Sequence, residues 1–359
     1  MRVLVLFGGR SGEHEVSVRS ARSVVHALAE LGHTIVPVGI TRDGRWVKAD
    51  PHTADRVTGG DPYVLRPTPQ SRKNVDVVFP AMHGPFGEDG ALQGLFELSE
   101  LPYVGSGIEG SAIGLDKWVQ RRLFADAGLD VVDSLAFARD AWERERGRWT
   151  SLVAERLRFP CFTKPAHLGS SVGISRVTSA DSLDAAMERA FQHDDIVVVE
   201  AYGGPREIEV GVLDGSPAMV SVPGEVVPAG DFYDYDSKYL TADTQLRIPA
   251  EVSEPLNKRI VDAAIRAFGV ARCEGFARVD FFYDPKPDVL RVNEINTIPG
   301  LTDSSMFPKV WEASGVPFHE VVQHLLDHAI ERHERKAKLE AARAAAHDVE
   351  VSGRPGTTA

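Results

Sequence analysis

The chain has 359 residues, of which 43% are hydrophobic and 26% are charged, and this balance is typical of soluble globular proteins. A chain of this length exceeds one typical hydrophobic core, so we expect two or three domains. The net charge of −12 argues against a nucleic-acid-binding surface, because phosphate contacts need clustered Lys and Arg.

The cysteines and the apolar runs indicate the cellular compartment. Cys161 and Cys273 lack metal-ligand spacing and lie in apolar, strand-like contexts, so we expect buried free thiols in a reducing environment. The first apolar run is too short for a signal peptide, and no run has the length that crosses a membrane. We therefore expect a cytoplasmic protein.

The chain opens with the pattern of a parallel β-α-β unit. A buried strand is predicted at residues 3–7, then a glycine turn, a helix from about 17 to 31 and a second strand at 33–40. Ligands of such units bind at the carboxyl end of the first strand. Glu13 and Glu15 would face a dinucleotide pyrophosphate, which disfavours that ligand. Glu13 suits a substrate ammonium, whereas we expect Glu15 to complement the helix N-terminus.

A second glycine-rich loop, at residues 83–90, follows a predicted buried strand at 75–80 and contains His83. A histidine at the end of a parallel strand serves either as a structural residue or as a ligand contact, and the sequence leaves both open. A helix to about residue 100 and a short strand at 102–104 are expected next. The first domain is expected to close near residues 107–110.

The middle of the chain resembles a lid for phosphates. After a helix at 116–127 that carries Lys117, a strand at 132–137 and a charged surface helix at 139–157, an apolar strand ends in Lys164. The Gly169-Ser170-Ser171 loop and a returning strand follow. Small residues let backbone N–H groups approach phosphate oxygens, and lysine adds a positive charge. An ordinary glycine-rich hairpin is the alternative.

A strand at 196–200 ends in Glu200, followed by Tyr202 and Gly203, which could offer backbone groups to an adenine edge, and Glu207 could reach a ribose. Two further strands, at 206–213 and 218–227, are expected to be antiparallel and precede residues 228–249. This stretch has no periodicity but holds four aromatic residues, so we expect a lid that orders when substrate binds.

Residues 278–296 predict a β-hairpin with its turn near residues 286–287. Because side chains alternate along a strand, one face collects Arg278, Asp280, Glu294 and Asn296. Two carboxylates and an amide oxygen suit Mg²⁺ bound with substrate phosphates, and a solvated polar face is the alternative. A short helix at 305–313, a long helix at 318–347 and a disordered tail at 349–359 complete the predicted elements.

Six motifs occur in one order: Phe-Gly-Gly-Arg-Ser-Gly-Glu-His-Glu-Val-Ser from Phe7, His-Gly-Pro-Phe-Gly-Glu-Asp-Gly from His83, Lys-Pro-Ala-His-Leu-Gly-Ser-Ser-Val-Gly from Lys164, Tyr-Asp-Tyr-Asp-Ser-Lys-Tyr from Tyr233, Arg-Val-Asp from Arg278, and Glu-Ile-Asn-Thr-Ile-Pro-Gly-Leu-Thr from Glu294. In these motifs the chain resembles the D-alanine–D-alanine ligases of the ATP-grasp superfamily, from Val3 to about Leu326. His167-Leu168 departs from the family, which often carries Arg or Lys-like polar residues before the glycine of the phosphate loop.

The resemblance implies an α/β fold, α+β in part: a three-domain ATP-grasp fold with an N-terminal Rossmann-like domain. The implied divisions are a substrate-binding domain at 1–110, a central ATP-grasp subdomain at 111–204, a C-terminal catalytic domain at 205–330 with the lid loop 228–249, and a charged helical extension and tail at 331–359. A homodimer is also implied.

The resemblance further implies ATP-dependent ligation of two D-alanines through a D-alanyl phosphate, for peptidoglycan precursors. ATP would contact Lys117, Lys164, Gly169, Ser170, Ser171, Glu200, Tyr202, Gly203 and Glu207. Two Mg²⁺ ions, or Mn²⁺, would bind Asp280, Glu294 and Asn296. The first D-alanine would meet Glu13 with His83 nearby, the reaction centre Ser170, Arg278 and the Gly300 N–H, and the second D-alanine Lys238, Tyr239 and Ser305.

Two other functions compete with this one. The enzyme could make D-alanyl-D-lactate or D-alanyl-D-serine, or the protein could be a non-catalytic, ATP-binding regulator. The presence of Arg278, Asp280, Glu294 and Lys164 disfavours the regulator. The Ser-Lys-Tyr pattern at Lys238 resembles enzymes that use D-alanine.

Overall fold

The computed structural model describes residues 1–66, 68, 73–227 and 245–352, with side chains described as far as residue 346. In these ranges the chain forms three β-sheets that are covered by helices, in agreement with the expected mixed α/β fold. Each sheet contributes one wall of the candidate site described below.

The first sheet has the order β3-β2-β1-β4. Strand β1 pairs in parallel with both β2 and β4, and helix α1 connects β1 to β2, as the opening pattern predicts. Helices α1 and α2 pack on this sheet, so the centre of β1 is fully buried. The elements are β1 (Arg2–Gly8), α1 (His14–Glu30), β2 (Thr34–Ile40), β3 (Trp46–Lys48), β4 (Val77–Pro80) and α2 (Ala91–Leu98).

The prediction of a strand at residues 102–104 is wrong. Only an isolated bridge joins Tyr103 to Val78 of β4. The chain cannot continue the pairing because Pro102 has no N–H to donate and Gly105 turns away with a φ of +92°.

The second sheet is antiparallel, with the order β5-β8-β6-β7. The prediction of a single surface helix at 139–157 is wrong. The helix is interrupted at Glu145, which separates α5 from α6, and these two helices bury Trp142 and Val153. Cys161 is a free, buried thiol here, as is Cys273 elsewhere. The elements are α3 (Ile108–Leu115), α4 (Lys117–Asp126), β5 (Ser134–Ala138), α5 (Arg139–Arg144), α6 (Arg146–Arg156), β6 (Cys161–Pro165), β7 (Ser175–Val177), α7 (Ala180–Phe191) and β8 (Ile196–Ala201).

The third sheet has the antiparallel order β12-β11-β9-β13-β14, with β10 beside β9. Helix α8 packs on the apolar face of β9. Helix α9 packs so closely on the opposite face that a Cβ on Gly211 would lie 2.4 Å from Trp311 Nε1. The elements are β9 (Arg206–Leu213), β10 (Met219–Val220), β11 (Gly224–Val227), β12 (Gln245–Arg247), α8 (Glu254–Val270), β13 (Phe276–Asp284), β14 (Val289–Asn296) and α9 (Met306–Ala313).

The stretch at 228–249 differs from the expected aperiodic lid in its last part, where Gln245–Arg247 forms strand β12 against β11. Residues 228–244, including Lys238 and Tyr239, lie outside the described residues.

Helix α10 (Phe318–Ser352) joins the end of the described chain to its beginning. Its first part buries Val321, Val322, Leu325 and Leu326 in the same core as Val3, Val5 and Phe7 of β1. The helix continues past residue 349, where a disordered tail was expected, as far as Ser352. Its Ala- and Glu-rich sequence favours helix. Residues 353–359 lie outside the described residues. No described helix has both the length and the apolar composition to cross a membrane.

We predict that Leu325→Ala lowers the free energy of unfolding by about 2–5 kcal/mol, since it leaves a cavity in the core shared by α1 and α10. Leu339→Ala on the same helix is the matched control, because Leu339 is 52% exposed and should change stability by less than about 0.5 kcal/mol. Urea denaturation checks both variants. Equal effects would contradict the packing of α10 on α1.

Candidate active site

The register of the β13–β14 hairpin sets the arrangement of the site. Arg278 pairs with Asn296 and Asp280 with Glu294, so the four side chains share a face as the sequence predicts. Between Asp280 and Phe281 the register shifts, since Phe281 pairs with Val292. Without this bulge, Glu294 would point to the opposite face of the sheet. The bulge therefore brings the two carboxylates together.

Two carboxylates hold the guanidinium of Arg278. Asp280 accepts bonds of 2.7 Å from both Nε and Nη2, and Glu209 Oε2 lies 2.9 Å from Nε. Burial alone would lower the pKa of Arg278, but the charges of Asp280 and Glu209 outweigh it and raise the pKa well above its usual value. The result is a permanently charged, oriented cation on the floor of the site.

A first cavity lies between the β6–β7 hairpin and the third sheet. All nine residues that the sequence assigns to ATP line it: Lys117, Lys164, Gly169, Ser170, Ser171, Glu200, Tyr202, Gly203 and Glu207. Gly203 has no room for a side chain, because a Cβ there would lie 2.2 Å from the ring of Phe282.

Buried ion pairs fix the cations of this first cavity. Lys164 Nζ lies 2.6 Å from Glu200 Oε1, Arg121 Nη1 lies 2.6 Å from Glu200 Oε2, and Lys117 Nζ lies 3.3 Å from Glu294. Burial would raise the pKa of Glu200, but the charges of Lys164 and Arg121 lower it. Burial lowers the pKa of Lys164, and Glu200 opposes that shift. Glu200, which the sequence assigns to the adenosine, thus binds both cations with its two oxygens.

The β6–β7 connection is the hairpin predicted from the sequence. Ser170 and Ser171 adopt left-handed backbone conformations, with φ of 53° and 58°. Such conformations cost about 1–3 kcal/mol in residues other than glycine and cluster at ligand-binding loops. Ser170 Oγ donates a hydrogen bond to Glu13 Oε1, which links this loop to the first sheet.

A second cavity adjoins the first at the carboxyl ends of β1 and β4. Of the residues assigned to the amino acids, the reaction centre and the metal, it is lined by Glu13, His83, Ser170, Arg278, Glu294, Asn296, Gly300 and Ser305. Gly169, Ser170 and Glu294 line both cavities, so the two form one continuous chamber. Asp280 lies beside Arg278 and accepts a 3.0 Å bond from Asn296 Nδ2.

Both ring nitrogens of His83 bind protein groups. Burial lowers the pKa of His83, so the ring is neutral, and Nδ1–H donates to the carbonyl of Ile298 at 3.0 Å. Because a carbonyl oxygen can only accept, Nδ1 carries the proton in the neutral ring, and Nε2 therefore accepts from Ser20 Oγ at 2.8 Å. Ser20 Oγ also accepts from the N–H of Leu301. His83 thereby positions the loop that carries Gly300, and its contact with a ligand stays a prediction.

Four further residues of the chamber were missed in the sequence. Glu88 and Arg19 line the second cavity, Glu209 holds Arg278, and Arg121 holds Glu200. Two signals could have found some of them: Arg121 follows Lys117 at i+4 on helix α4, and Glu209 follows Glu207 at the strand period.

Glu15 has the structural role expected of it. Its carboxylate pairs at 2.7 Å with both Arg42 and Arg56, away from the chamber. In the part of the chain that the structure describes, no three His, Cys, Asp or Glu side chains form a metal-binding group.

Comparison with known proteins identifies relatives over nearly the full length. A family model described as D-ala D-ala ligase N-terminus matches residues 2–106, and one described as D-ala D-ala ligase C-terminus matches residues 123–327. The D-alanine–D-alanine ligase of Heliobacterium modesticaldum is 42% identical, over 94% of this chain and 96% of the relative. That of Bacillus cytotoxicus is 41% identical, over 93% and 97%.

Two solved structures resemble the fold. The D-alanine-D-alanine ligase from Coxiella burnetii has a TM-score of 0.81 and 35% identity, over 97% of this chain and 99% of that structure. The VanG D-Ala:D-Ser ligase from Enterococcus faecalis has a TM-score of 0.80 and 33% identity, over 91% and 99%.

We predict that Glu88 makes the stability of the ligand-free protein depend on pH. Burial, with the charge of Glu13, raises the pKa of Glu88 from 4.5 to about 8. The folded state therefore holds this proton more tightly than the unfolded chain. The contribution is complete below the unfolded pKa and is lost as pH rises through about 8.

Urea denaturation from about pH 5 to about pH 9 should show the wild-type protein losing stability relative to Glu88→Gln, which cannot ionise. The exposed Glu100→Gln is the control and should follow the wild type. Parallel curves for wild type and Glu88→Gln would contradict the buried, protonated carboxyl group.

Proposed function

The chain belongs to the D-alanine–D-alanine ligase family, and we propose that its two adjoining cavities bind ATP and the two D-alanines of one ligation. The enzyme is an ATP-dependent ligase that forms D-alanyl-D-alanine for peptidoglycan synthesis. The observation that carries the assignment of the cavities is their shared wall: Gly169, Ser170 and Glu294 line both. A phosphoryl group at this boundary can reach a carboxylate in the second cavity.

The first cavity supplies what a nucleotide needs. Lys117 and Lys164 provide positive charge for the phosphates, and the Gly169-Ser170-Ser171 loop offers backbone N–H groups. Tyr202, Gly203 and Glu207 would surround the adenosine at the other end of the cavity. Glu200 acts there through Lys164 and Arg121, which it holds.

The residues opposite the phosphate loop fit magnesium. Asp280 and Glu294 are direct neighbours across β13 and β14, and Asn296 adds an amide oxygen. Each carboxylate oxygen has two lone pairs, so Asp280 can accept from Arg278 and still bind a cation. We assign these three residues to two Mg²⁺ ions, which Mn²⁺ could replace. The bound ions would neutralise charge on the phosphates.

The first step activates a carboxylate, because joining two free amino acids is unfavourable. Glu13 would bind the ammonium of the first D-alanine and so direct its carboxylate towards the γ-phosphorus of ATP. An oxygen of that carboxylate forms a bond to phosphorus as the bond to ADP breaks, which yields D-alanyl phosphate. Lys117, Lys164 and Arg278 supply the positive charge that phosphoryl transfer requires.

The second step forms the peptide bond. The amine of the second D-alanine, after losing a proton, attacks the acyl carbon, and phosphate leaves from the tetrahedral intermediate. Arg278 and the Gly300 N–H face the developing oxyanion, and His83 positions the loop that carries Gly300. Ser170, bound to Glu13, closes the loop over the acyl phosphate and excludes water.

The acceptor site would be formed by Ser305 together with Lys238 and Tyr239. Lysine attracts the carboxylate of the acceptor, and neither residue of the Lys-Tyr pair repels a zwitterion. The relatives at 41–42% identity bear the name of D-alanine–D-alanine ligases, whereas the VanG D-Ala:D-Ser ligase is 33% identical. The names of the curated relatives thus support D-alanine as the acceptor, and D-serine is a related alternative that is not better supported.

Three further assignments complete the proposal. We propose the domain divisions 1–110, 111–204, 205–330 and 331–359, which the separate residue ranges of the three sheets support. We also propose a homodimer in the cytoplasm, which size-exclusion chromatography with light scattering and cell fractionation would test.

We predict that Glu294→Gln reduces phosphate release from ATP, D-alanine and Mg²⁺ by on the order of 100-fold or more, since it removes a negative charge that would face the cations. The exposed Glu312→Gln is the control and should keep full activity. Circular dichroism checks that both variants are folded. Undiminished phosphate release by a folded Glu294→Gln protein would refute the metal assignment.

We predict the dipeptide as the main product when D-alanine and D-lactate compete as acceptors at neutral pH. The lysine at the acceptor site attracts both carboxylates, and nothing in the proposed site repels the ammonium of D-alanine. Mass spectrometry separates the peptide from the ester. A predominant ester would overturn the acceptor assignment and leave the ligase assignment intact.

A further inference from the structure

His167, at the start of the phosphate loop, lies between two carboxylates. Its Nε2 is 3.2 Å from Asp116 Oδ2, and its Nδ1 is 2.9 Å from Asp194 Oδ2. A neutral imidazole has only one N–H, so hydrogen bonds to both carboxylates require the imidazolium. The ring is therefore a cation that bridges the start of helix α4 and the turn before β8.

Asp116 connects this cation to Lys117. Asp116 Oδ1 caps helix α4 by accepting from the N–H groups of Trp118 and Val119 at 3.0 Å, and its other oxygen binds His167. The N–H of Lys117 donates to the carbonyl of Ala166 at 3.0 Å. Ala166 and His167, which precede the phosphate loop, therefore both fix the position at which helix α4 begins.

Asp194 connects the same cation to β8. Asp194 Oδ2 accepts from the backbone N–H of His167 at 2.7 Å, and Oδ1 accepts from the N–H of Ile196 at 3.0 Å. Strand β8 runs from there to Glu200, which binds Lys164. Asp116 therefore connects His167 to Lys117, and Asp194 connects it to Lys164 through β8 and Glu200.

We propose that His167 is a positioning residue for ATP, whose imidazolium holds Asp116 and Asp194 together and so fixes Lys117, Lys164 and the root of the phosphate loop relative to one another. The proposal rests on the assignment of the first cavity to ATP. The side chain of His167 is 41% exposed, so its replacement opens no core cavity, and Asp116 and Asp194 each keep two backbone N–H partners without it. Its effect belongs to nucleotide binding.

The charge of His167 persists at neutral pH. Hydrogen bonds to Asp116 and then Asp194 raise the pKa of His167 to about 10. Asp116 from the start of α4 and Asp194 from the turn before β8 are the charged groups that face the ring. Because the folded state holds the proton more tightly, the contribution of the bridge to the free energy of unfolding is complete below the ordinary pKa of 6.5 and is lost as pH rises through about 10.

The test compares His167→Ala with His167→Arg, which keeps the charge and several donors. We expect His167→Ala to raise the KM for ATP by about 3- to 10-fold while kcat and the KM for D-alanine stay within about 2-fold. His167→Arg should restore most of the ATP affinity. Calorimetric titration with ADP and Mg²⁺, without D-alanine, should show the same order of dissociation constants.

A matched control is His328→Ala. His328 on helix α10 pairs with Asp214 at 3.0 Å, neither residue lines either cavity, and its loss should leave ADP binding unchanged. A second readout is pH: the dissociation constant of ADP for the wild type should rise relative to that for His167→Arg as pH passes about 10.

Unchanged ADP binding by His167→Ala would overturn the proposal, as would a failure of His167→Arg to restore it. An equal loss of ADP binding in His328→Ala would also overturn it, because the effect would then be general. A wild-type enzyme that binds no ADP and releases no phosphate would instead refute the proposed function. The two failures are therefore distinguishable.

Discussion

The chamber depends on one constraint: a buried charge must have a partner of opposite sign. Glu200 holds Lys164 and Arg121, and Asp280 and Glu209 hold Arg278. Burying one unpaired ion costs several kcal/mol, so these pairs must form together or not at all. The chamber thereby keeps fixed positive charges without ligand, and a polyanionic substrate meets oriented groups that need no reorganisation.

Rigid strands provide most of these charges, and helix α4 provides Lys117 and Arg121. The bulge in β14 turns Glu294 towards Asp280, and β9 brings Glu209 beside them through regular antiparallel pairing. By contrast, Ser170 of the phosphate loop has a left-handed conformation, and its hydroxyl donates to Glu13, which links the loop of the second sheet to the first sheet. The strained loop thus lies where two substrates would meet, and the strands around it carry the cost of that strain.

Local patterns in the sequence were sufficient for much of this arrangement. The two-residue period of the strands groups Arg278 with Asp280 and Glu294 with Asn296, and the glycine-rich loops mark both cavities, whereas the bulge that puts all four side chains on one face was not predicted. Non-local pairing was beyond such patterns. The partner of Arg278 on β9 depends on which strands are neighbours, and the bonds from His83 to Ser20 and Ile298 join residues 63 and 215 positions apart. The break at Glu145 was missed because the helical period continues through it, and the strand at 102–104 failed at a proline.

The packing of α10 against β1 and α1 has a consequence for synthesis of the chain. Val3, Val5 and Phe7 share a core with Val321 and Leu325, so the face of the first sheet that α1 covers in part is completed only after more than 300 further residues have been translated. At ordinary ribosomal rates this interval is on the order of tens of seconds. During that time the nascent chain exposes an apolar surface that attracts other chains. The packing of α10 therefore ends the exposure of this apolar surface.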